Sequence, residues 1–244
     1  MENINLIILA GGEGVRMDSE LPKPLIKVGR KSMLERVIYA GKEINPDRIL
    51  VVVRDKRLSK AAQNRGCNVV WQKRPLGTAD ALKSALPKCD KEGDIIVTCG
   101  DIPFIKGEIF NRLLKEHRKK QNYITILTST IDNPYGYGRI VKQGNKVIKI
   151  VEEKEATRQE KKIDLVNSGI YAVNRKGLES YINKIKKSPK KGEYYLTDLI
   201  EIAADNGLKV GEYRCDPSYI MGINTKKDLQ AANKKLKKEK QKEI

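Results

Sequence analysis

Apolar runs of strand length alternate with amphipathic stretches along the first half of the chain. The predicted strands are Ile4–Leu9, Ile49–Val53, Asn68–Gln72 and Asp94–Cys99. These runs are apolar on both faces, which is typical of strands that are covered on both sides. The predicted helices between them are Lys31–Ile44, Lys56–Asn64, Ala79–Leu86 and Ile109–Lys120. The alternation predicts an α/β protein with a Rossmann-like, mostly parallel sheet and helices on both faces.

The second half of the chain has a different pattern. Tyr123–Thr130 is rich in β-branched residues, and Arg139–Val151 is predicted to form a hairpin about the turn at Gln143-Gly144-Asn145. A further strand is predicted at Val166–Val173. The later predicted helices are Leu178–Lys186 and Leu196–Asp205. Because no internal repeat or linker is present, this half is expected to join the same sheet.

Length and cysteine content narrow the class of protein. A chain of 244 residues can bury a sizeable core, and none of its apolar runs approaches the ~20 residues of a membrane-spanning helix. The N-terminus has neither a basic flank nor a cleavage-like site, so no signal peptide is expected. The four cysteines are scattered, which predicts reduced thiols rather than a disulfide framework or a zinc site. These features predict a cytoplasmic location.

The charge is strongly basic, with a formal net charge of +18. Residues 184–191 hold five lysines, and residues 225–244 carry eight lysines against three acidic residues. Such pools are typical of solvated surfaces, and no basic–aromatic interleaving suggests nucleic-acid binding. His117 is the only histidine and is predicted to lie on the surface of its helix. The chemistry is therefore expected to proceed without a histidine.

A glycine-rich loop follows the first strand. Gly11, Gly12 and Gly14 lie within four residues, and glycine permits positive φ and close approach of a ligand. Consecutive N–H groups in such a turn can bind an anion, although a simple chain reversal would also explain the glycines. Arg16 and Lys23 add positive charge beside the loop. Lys23 stands between two prolines that stiffen the backbone, which favours an ammonium group aimed at a defined point.

Two further motifs follow predicted strands. Gln72 precedes a Pro/Gly loop with Gly77 and Thr78, and its amide could complement the O4 and N3–H edge of uracil or thymine. Thr78 could simply cap the next helix. Asp101 follows Gly100 at the end of the fourth strand, where it could also cap a helix. Parallel strands bring these loops to one edge of the sheet, where ligands bind in doubly wound folds.

These motifs resemble the signature of the sugar-1-phosphate nucleotidylyltransferases. The likeness is carried by Leu9–Met17, by Leu21-Pro22-Lys23-Pro24-Leu25 and by Gly100-Asp101-Ile102-Pro103, and it extends from about residue 4 to about residue 230. Within the family, the chain is most similar to the pyrophosphorylase domain of the bifunctional N-acetylglucosamine-1-phosphate uridylyltransferase/acetyltransferase. The resemblance implies a mixed, mostly parallel sheet.

The resemblance also implies a set of site residues. The implied catalytic residues are Arg16, Lys23 and Asp101. The implied nucleotide-binding residues are Leu9, Ala10, Gly11, Gly12, Gly14, Gln72, Gly77, Thr78 and Gly100. Asp101 and Asn224 are the implied ligands of Mg²⁺, which binds through one or two protein oxygens together with substrate phosphates.

Four motifs of the second half extend the resemblance to a sugar-binding half. They are Tyr137-Gly138-Arg139-Ile140, Val151-Glu152-Glu153-Lys154, Val166-Asn167-Ser168-Gly169-Ile170 and Gly192–Asp198. The implied contacts to the sugar phosphate are Gly138, Glu152, Lys154 and Asn167. The expected organisation is one domain over residues 1–230, with a nucleotide-binding half to about 130, a sugar-binding half to 230 and a basic helix or tail at 231–244.

The implied reaction joins a sugar 1-phosphate, first of all N-acetylglucosamine 1-phosphate, to UTP. The alternatives are transfer to glucose 1-phosphate or another sugar phosphate from UTP, dTTP or CTP and, from a different class, a non-catalytic nucleotide-sensing or RNA-binding module. Val15, Gly11 and Cys99 depart from residues that are common in the family. No hexapeptide-repeat β-helix follows residue 230, so acetyl transfer is not expected. The expected partners are small-molecule substrates, not membranes or nucleic acid.

Overall fold

The structure is a computed structural model that describes residues 3–12, 19–190 and 192–242. Its strands are β1 Ile4–Leu9, β2 Lys27–Val28, β3 Lys31–Ser32, β4 Arg48–Val53, β5 Asn68–Trp71, β6 Asp94–Cys99, β7 Ile124–Thr130, β8 Arg139–Gln143, β9 Lys146–Val151, β10 Leu165–Asn174 and β11 Val210–Arg214. Its α-helices are α1 Met33–Lys42, α2 Lys56–Gln63, α3 Thr78–Ala85, α4 Gly107–Lys119, α5 Leu178–Ile182, α6 Asp198–Asp205 and α7 Lys226–Lys242.

One mixed sheet organises these elements, in the order β11-β7-β10-β6-β1-β4-β5. The strands β5, β4, β1 and β6 are mutually parallel, whereas β10 runs antiparallel to both β6 and β7. The predicted mixed, mostly parallel sheet is therefore confirmed. Because β4 and β6 flank β1 on opposite sides, the strand order reverses there, and the carboxyl ends of β1 and β6 border a crevice suited to a ligand.

Two hydrophobic layers cover the sheet, one on each face. Successive side chains of β1 point to opposite faces, so Ile7 packs in one layer while Leu6 and Ile8 pack in the other. Helices α3, α5 and α6 cover the face of Ile7, and α1, α2 and α4 cover the opposite face. Each fully buried aliphatic side chain of these layers contributes roughly 1.5–3 kcal/mol to folding. The predicted covering of both faces is confirmed.

Several helix ends differ from the predicted bounds. Helix α1 begins at Met33 because Ser32 and Glu35 form a reciprocal capping box, in which each side chain accepts from the other residue's backbone N–H. The helix predicted to run to Lys186 ends at Ile182. The helix predicted from Leu196 begins at Asp198, and the Leu196 N–H donates to the Thr78 hydroxyl.

The predicted hairpin of the second half is present, but the sequence analysis missed one strand. The hairpin of β8 and β9 is confirmed, with Gly144 in the left-handed region at φ +57°. Strand β11 was not predicted, although it pairs with β7 in parallel along its length. Its sequence, Val-Gly-Glu-Tyr-Arg, is only partly buried and therefore lacks the apolar run that marked the other strands.

The prediction that His117 lies on the surface is wrong. Its side chain is only 2% exposed, Nδ1 lies 2.8 Å from Thr125 Oγ1, and Nε2 lies 3.4 Å from Asp94 Oδ1. His117 follows Leu113 and Leu114 by four and three residues and so shares their buried face of α4. Asp94 begins β6, so this cluster lies about 20 Å from the carboxyl edge of the sheet. The histidine is thus structural.

The expected boundary at residue 230 falls inside helix α7. Ala232 is fully buried in a small cluster with Val28, Met33 and Phe104. The Gly29 N–H also donates to Asn233 Oδ1 at 2.9 Å. Over its described side chains, helix α7 therefore packs against the segment that follows Lys23 and does not form a separate tail.

The described ranges of the chain contain neither a membrane-spanning helix nor a disulfide. None of their helices combines the length and apolar character needed to cross a membrane. The four cysteines are all free thiols.

Candidate active site

Three loops leave the carboxyl edge of the sheet. The first follows β1, the second follows β5 and the third follows β6. Leu9 pairs with Val52 on one side and with Cys99 on the other. The Ala10 N–H donates to the Val52 carbonyl at 2.9 Å, and the Gly100 N–H donates to the Leu9 carbonyl at 2.9 Å. These bonds fix the start of the first loop against the start of the third. The predicted site residues Gly14 and Arg16 lie outside the described residues.

Gly11 and Gly12 differ in the space beside them at this edge. A Cβ on Gly11 would lie 3.1 Å from Gln72 Oε1 and 3.2 Å from Arg54 Cγ, whereas one on Gly12 would meet no atom of the described residues within 4 Å. A ligand can therefore approach the backbone of Gly12 closely, whereas Gly11 is packed against Gln72 and Arg54. Arg54 was not predicted as a site residue, although its position directly after β4 was the available signal.

Lys23 occupies the centre of the site. It begins a short 3-10 helix, Lys23–Leu25, in which the Leu25 N–H donates to the Pro22 carbonyl at 2.8 Å. Its ammonium donates to the carboxylate of Asp101 and, at 2.6 Å, to Asn224 Oδ1. The Lys23 side chain is 11% exposed and that of Asp101 is 27% exposed. The structure thus brings the predicted catalytic lysine and both predicted metal ligands together.

A second network orients Asn224. Its backbone N–H and that of Thr225 both donate to Asp228 Oδ2, at 2.9 and 2.8 Å, and the Asp228 N–H donates back to the Thr225 hydroxyl. The Ile223 N–H donates to the Asp101 carbonyl at 3.3 Å. Two hard oxygens, one carboxylate and one amide, therefore converge on a single cation, the ammonium. Such a donor set fits Mg²⁺, which takes few protein oxygens and retains waters.

Gln72 lines the other side of the first loop and is 6% exposed. Its Nε2 donates to the Gly77 carbonyl at 3.1 Å and to Asp80 Oδ2 at 2.9 Å. The sequence led us to expect both a donor and an acceptor for a base. Since both amide hydrogens have partners within the protein, the Oε1 atom beside Gly11 is the group that faces the site.

The Gly77–Thr78 turn is clamped by Tyr194. Gly77 adopts φ +111°, and a Cβ there would lie 2.7 Å from Tyr194 N and closer still to its carbonyl oxygen. The Tyr194 N–H donates to the Leu76 carbonyl at 2.7 Å, and the Ala79 N–H donates to the Tyr194 carbonyl at 3.0 Å. The possible capping role of Thr78 is wrong, since Gly77 is the N-cap of α3 and the Thr78 hydroxyl accepts from Leu196.

A register shift in β10 places Asn167 beside Gly138. The shift lies between Asn167 and Tyr171, with Gly169 between them at φ +77°. Asn167 Nδ2 donates to the Tyr171 hydroxyl at 2.7 Å, and its Oδ1 accepts from the Gly169 N–H at 3.0 Å. The Gly138 carbonyl accepts from the Asn167 N–H at 2.9 Å. Two of the predicted sugar-side residues are thus adjacent.

The remaining sugar-side residues follow β9. Glu152 Oε1 accepts a hydrogen bond from the Thr197 hydroxyl at 3.1 Å, so it is tied to the segment just before α6. Lys154 is exposed, and its carbonyl accepts from Lys190 Nζ at 2.9 Å. Glu152 is thus partly buried and bonded to the segment before α6, whereas the Lys154 side chain lies at the surface.

Cys99 lies between the two halves of the site. A Cβ on Gly169 would be 3.4 Å from the Cys99 sulfur, so the β10 irregularity passes directly over the thiol. Burial, together with the Asp101 and Glu152 carboxylates and against the opposing effect of Lys23, raises the pKa of Cys99 to about 12. The thiol is therefore neutral near pH 7 and is not a nucleophile.

Asp198 supplies a pH-dependent stability prediction. Burial, followed by the negative charges of Glu155, Glu201 and Glu152, raises its pKa from 3.8 to about 6. The stability that the protonated carboxyl provides is complete below the unfolded pKa and is lost as the pH rises through about 6. Asp198→Asn should therefore raise the free energy of unfolding at pH 8 by roughly 2 kcal/mol, with no gain at pH 3.5.

Denaturant unfolding of both proteins at the two pH values checks this result. Asp205→Asn, on the exposed end of the same helix, is the matched control and should change the free energy of unfolding only slightly at both pH values. A gain for Asp198→Asn that persists unchanged at pH 3.5 would contradict the assignment.

Comparison with known proteins places this geometry in a family. Residues 6–154 match the MobA-like NTP transferase domain. The chain is 39% identical over 236 residues to the bifunctional protein GlmU of Lactobacillus johnsonii, covering 95% of this chain and 51% of that protein. It is 37% identical over 240 residues to the bifunctional protein GlmU of Clostridioides difficile, covering 97% and 52%. The chain thus spans about half the length of the curated relatives it matches.

Solved structures share the fold. A chain described as a glucose-1-phosphate thymidylyltransferase of Bacillus anthracis, in complex with sucrose, superposes with a TM-score of 0.76 at 23% identity and covers 95% of this chain and 94% of its own. A UDP-glucose pyrophosphorylase complexed with UDP-glucose gives a TM-score of 0.78 at 16% identity and covers 98% and 100%. Both share the nucleotide-diphospho-sugar transferase fold with this chain.

Proposed function

The chain belongs to the MobA-like NTP transferase domain family, and from that premise we propose that it transfers a uridylyl group from UTP to N-acetylglucosamine 1-phosphate. The products are UDP-N-acetylglucosamine and pyrophosphate. The observation that carries the proposal is the convergence of Lys23, Asp101 and Asn224 at the carboxyl ends of β1 and β6. The similarity to the bifunctional GlmU proteins over nearly all of this chain supports the choice of substrates.

The reaction needs no general base. A phosphate oxygen of the sugar 1-phosphate forms a bond to the α-phosphorus of UTP, and the bond from that phosphorus to the bridging oxygen of pyrophosphate breaks. A phosphate monoester has a second pKa near 6, so the nucleophile is already an anion near pH 7. This agrees with the position of His117, which is buried at the opposite edge of the sheet.

The residues of the site contribute mainly position and charge. The Lys23 ammonium would stabilise the charge that builds on the α-phosphoryl oxygens in the transition state. The backbone N–H groups of the first loop and Arg16 would hold the leaving pyrophosphate. Asp101 and Asn224 would hold Mg²⁺, which when bound neutralises charge on the phosphates. The Asp228 carboxylate holds Asn224 in place through its backbone N–H.

Base and sugar would be held on opposite sides of Lys23. Gln72 Oε1 would accept the N3–H of uracil, which thymine shares and cytosine lacks. The missing Cβ of Gly11 lets the backbone of the first loop lie close to that oxygen. Glu152 and Asn167 would bind sugar hydroxyls, Gly138 would provide a backbone contact, and Lys154 would reach the sugar phosphate from the surface. A cytoplasmic location is part of the proposal and is supported by the four free thiols.

Glucose 1-phosphate is the second candidate acceptor. The observation that favours it is the shared fold with the glucose-1-phosphate thymidylyltransferase and the UDP-glucose pyrophosphorylase described above. Both reactions use the same attack on the α-phosphorus, so only the acceptor and the base differ between the candidates.

A substrate panel tests the proposed function. Pyrophosphate release is measured with UTP, dTTP and CTP, each combined with N-acetylglucosamine 1-phosphate, glucose 1-phosphate or no acceptor, with and without Mg²⁺. We expect the highest kcat/KM for UTP with N-acetylglucosamine 1-phosphate, the lowest for CTP, and release that requires both Mg²⁺ and an acceptor. A higher kcat/KM with glucose 1-phosphate would make that compound the acceptor in place of N-acetylglucosamine 1-phosphate. No release with any pair of substrates would refute the enzymatic proposal.

A further inference from the structure

The Lys23 ammonium already occupies the point at which the two proposed metal ligands converge. It bonds to the Asp101 carboxylate and to Asn224 Oδ1, which belong to segments 123 residues apart in the chain. The Lys23 side chain is only 11% exposed, so its charge is neutralised chiefly by these oxygens rather than by water. The ammonium is therefore the cation that this pair of oxygens binds in the structure.

A divalent ion held by the same two oxygens cannot coexist with the ammonium in this position. Mg²⁺ lies 2.0–2.1 Å from each oxygen ligand and demands near-ideal octahedral geometry. Its centre would nearly coincide with Nζ, which lies 2.6 Å from Asn224 Oδ1. Repulsion between the two cations at this separation would be strong in a site with little water.

We propose that Lys23 and the divalent metal ion compete for Asp101 and Asn224, and that bound nucleotide decides the competition. The inference rests on the proposed function, because the nucleotide's phosphates are the anions that receive the displaced ammonium. Without nucleotide, Lys23 holds the oxygen pair and metal binds weakly. With nucleotide, the ammonium moves to the phosphates and the metal takes the two oxygens.

The local structure permits this exchange without unfolding the loop. The backbone on either side of Lys23 is fixed by Pro22, Pro24 and the bond from Leu25 to the Pro22 carbonyl. The lysine stem has four rotatable methylene groups, so the ammonium can move while the backbone stays in place. The carboxylate of Asp101 is 27% exposed and is accessible to an incoming ion. Metal and nucleotide binding must consequently strengthen each other equally.

The test is direct binding of Mn²⁺, monitored by electron paramagnetic resonance, to the full chain without nucleotide. Lys23→Met removes the competing charge and should tighten Mn²⁺ binding by about tenfold or more, as expected when a like charge leaves a site. Lys27→Met is the matched control, since Lys27 is exposed on β2, and should leave the Kd within about twofold. Unchanged or weaker binding by folded Lys23→Met would overturn the proposal.

Two further variants separate the charge of Lys23 from its hydrogen bonds and locate the metal. Lys23→Gln removes the charge but keeps N–H donors for Asp101 and Asn224. It therefore preserves the hydrogen-bond network if the Lys23→Met variant does not fold. This variant too should bind Mn²⁺ more tightly than the parent. Lys23→Met with Asp101→Asn should lose the gain, and a gain that survives would place the metal elsewhere and overturn the proposal. None of these measurements requires turnover, so an inactive enzyme with tightened Mn²⁺ binding would refute the proposed function and leave the competition standing.

Discussion

Replacing Lys23 by alanine is expected to lower kcat by roughly 10²–10³, the usual cost of losing one transition-state contact. The ammonium is aimed by a proline-braced 3-10 helix and lies at the crevice between β1 and β6. Because it acts on charge that develops during the reaction, its loss should affect kcat more than the KM for the nucleotide. Steady-state pyrophosphate release at saturating UTP and acceptor measures this effect.

Lys27→Ala is the control for the Lys23 substitution. Lys27 lies on the same segment, but its side chain is exposed, and the variant should keep kcat within about twofold of the parent. Thermal unfolding of both variants distinguishes loss of chemistry from loss of structure. An undiminished kcat in Lys23→Ala, or equal losses in both variants, would remove Lys23 from the proposed role.

Replacing Gly77 by alanine is expected to cost roughly 2–4 kcal/mol of folding free energy and to raise the KM for the nucleotide. Two effects combine at this position. The positive φ of +111° disfavours an L side chain, and the added Cβ would meet the backbone of Tyr194 at 2.7 Å or less. Backbone atoms cannot rotate away, so the loop that carries Gln72 and Thr78 must shift. Denaturant unfolding and the KM for UTP measure the two consequences.

Gly66→Ala is the control for a positive φ without a clash against backbone atoms. Gly66 also has a positive φ, +72°, but a Cβ there meets no atom within 4 Å in the part of the chain that the structure describes. Its cost should therefore be only the conformational one, about 1–2 kcal/mol, with no change in KM. Equal losses of stability in the two variants would show that the contact with Tyr194 contributes nothing.

The parallel part of the sheet could be predicted because its strands are continuous apolar runs. Each of β1, β4 and β6 is buried on both faces, and that burial leaves a direct trace in the sequence. The position of β10 could not be read in the same way. It is inserted antiparallel between β6 and β7, and such pairing depends on contacts between distant residues rather than on local pattern.

The candidate site was partly predictable for a similar reason. Gln72 directly follows β5 and Asp101 closely follows β6, so topology alone brings them to one edge, whereas Lys23 was marked by the prolines on either side of it. The clamp of Tyr194 on Gly77 depends on a contact over 117 residues and has no local signal. The packing of Ala232 against the segment after Lys23 was hidden by the lysines around it, which suggested a solvated tail.

His117 shows a different limit of prediction from the sequence. Its neighbours Leu113 and Leu114 marked the buried face of α4, but a charged composition of the helix suggested exposure. The hydroxyl of Thr125 and the carboxylate of Asp94 satisfy the ring nitrogens, and these partners come from β7 and β6. Burial of a polar side chain depends on such partners, which helical spacing alone does not reveal.

Pyrophosphate release from UTP, N-acetylglucosamine 1-phosphate and Mg²⁺ by the unmodified chain is the most direct measurement of the central claim. That claim is that one triphosphate is held jointly by the Lys23 loop and the Asp101–Asn224 oxygen pair. The predicted result is release that stops when either the acceptor or the metal is omitted and falls at least about a hundredfold in Lys23→Ala. Release that is absent with every triphosphate and acceptor, or that proceeds undiminished in Lys23→Ala, would contradict the claim.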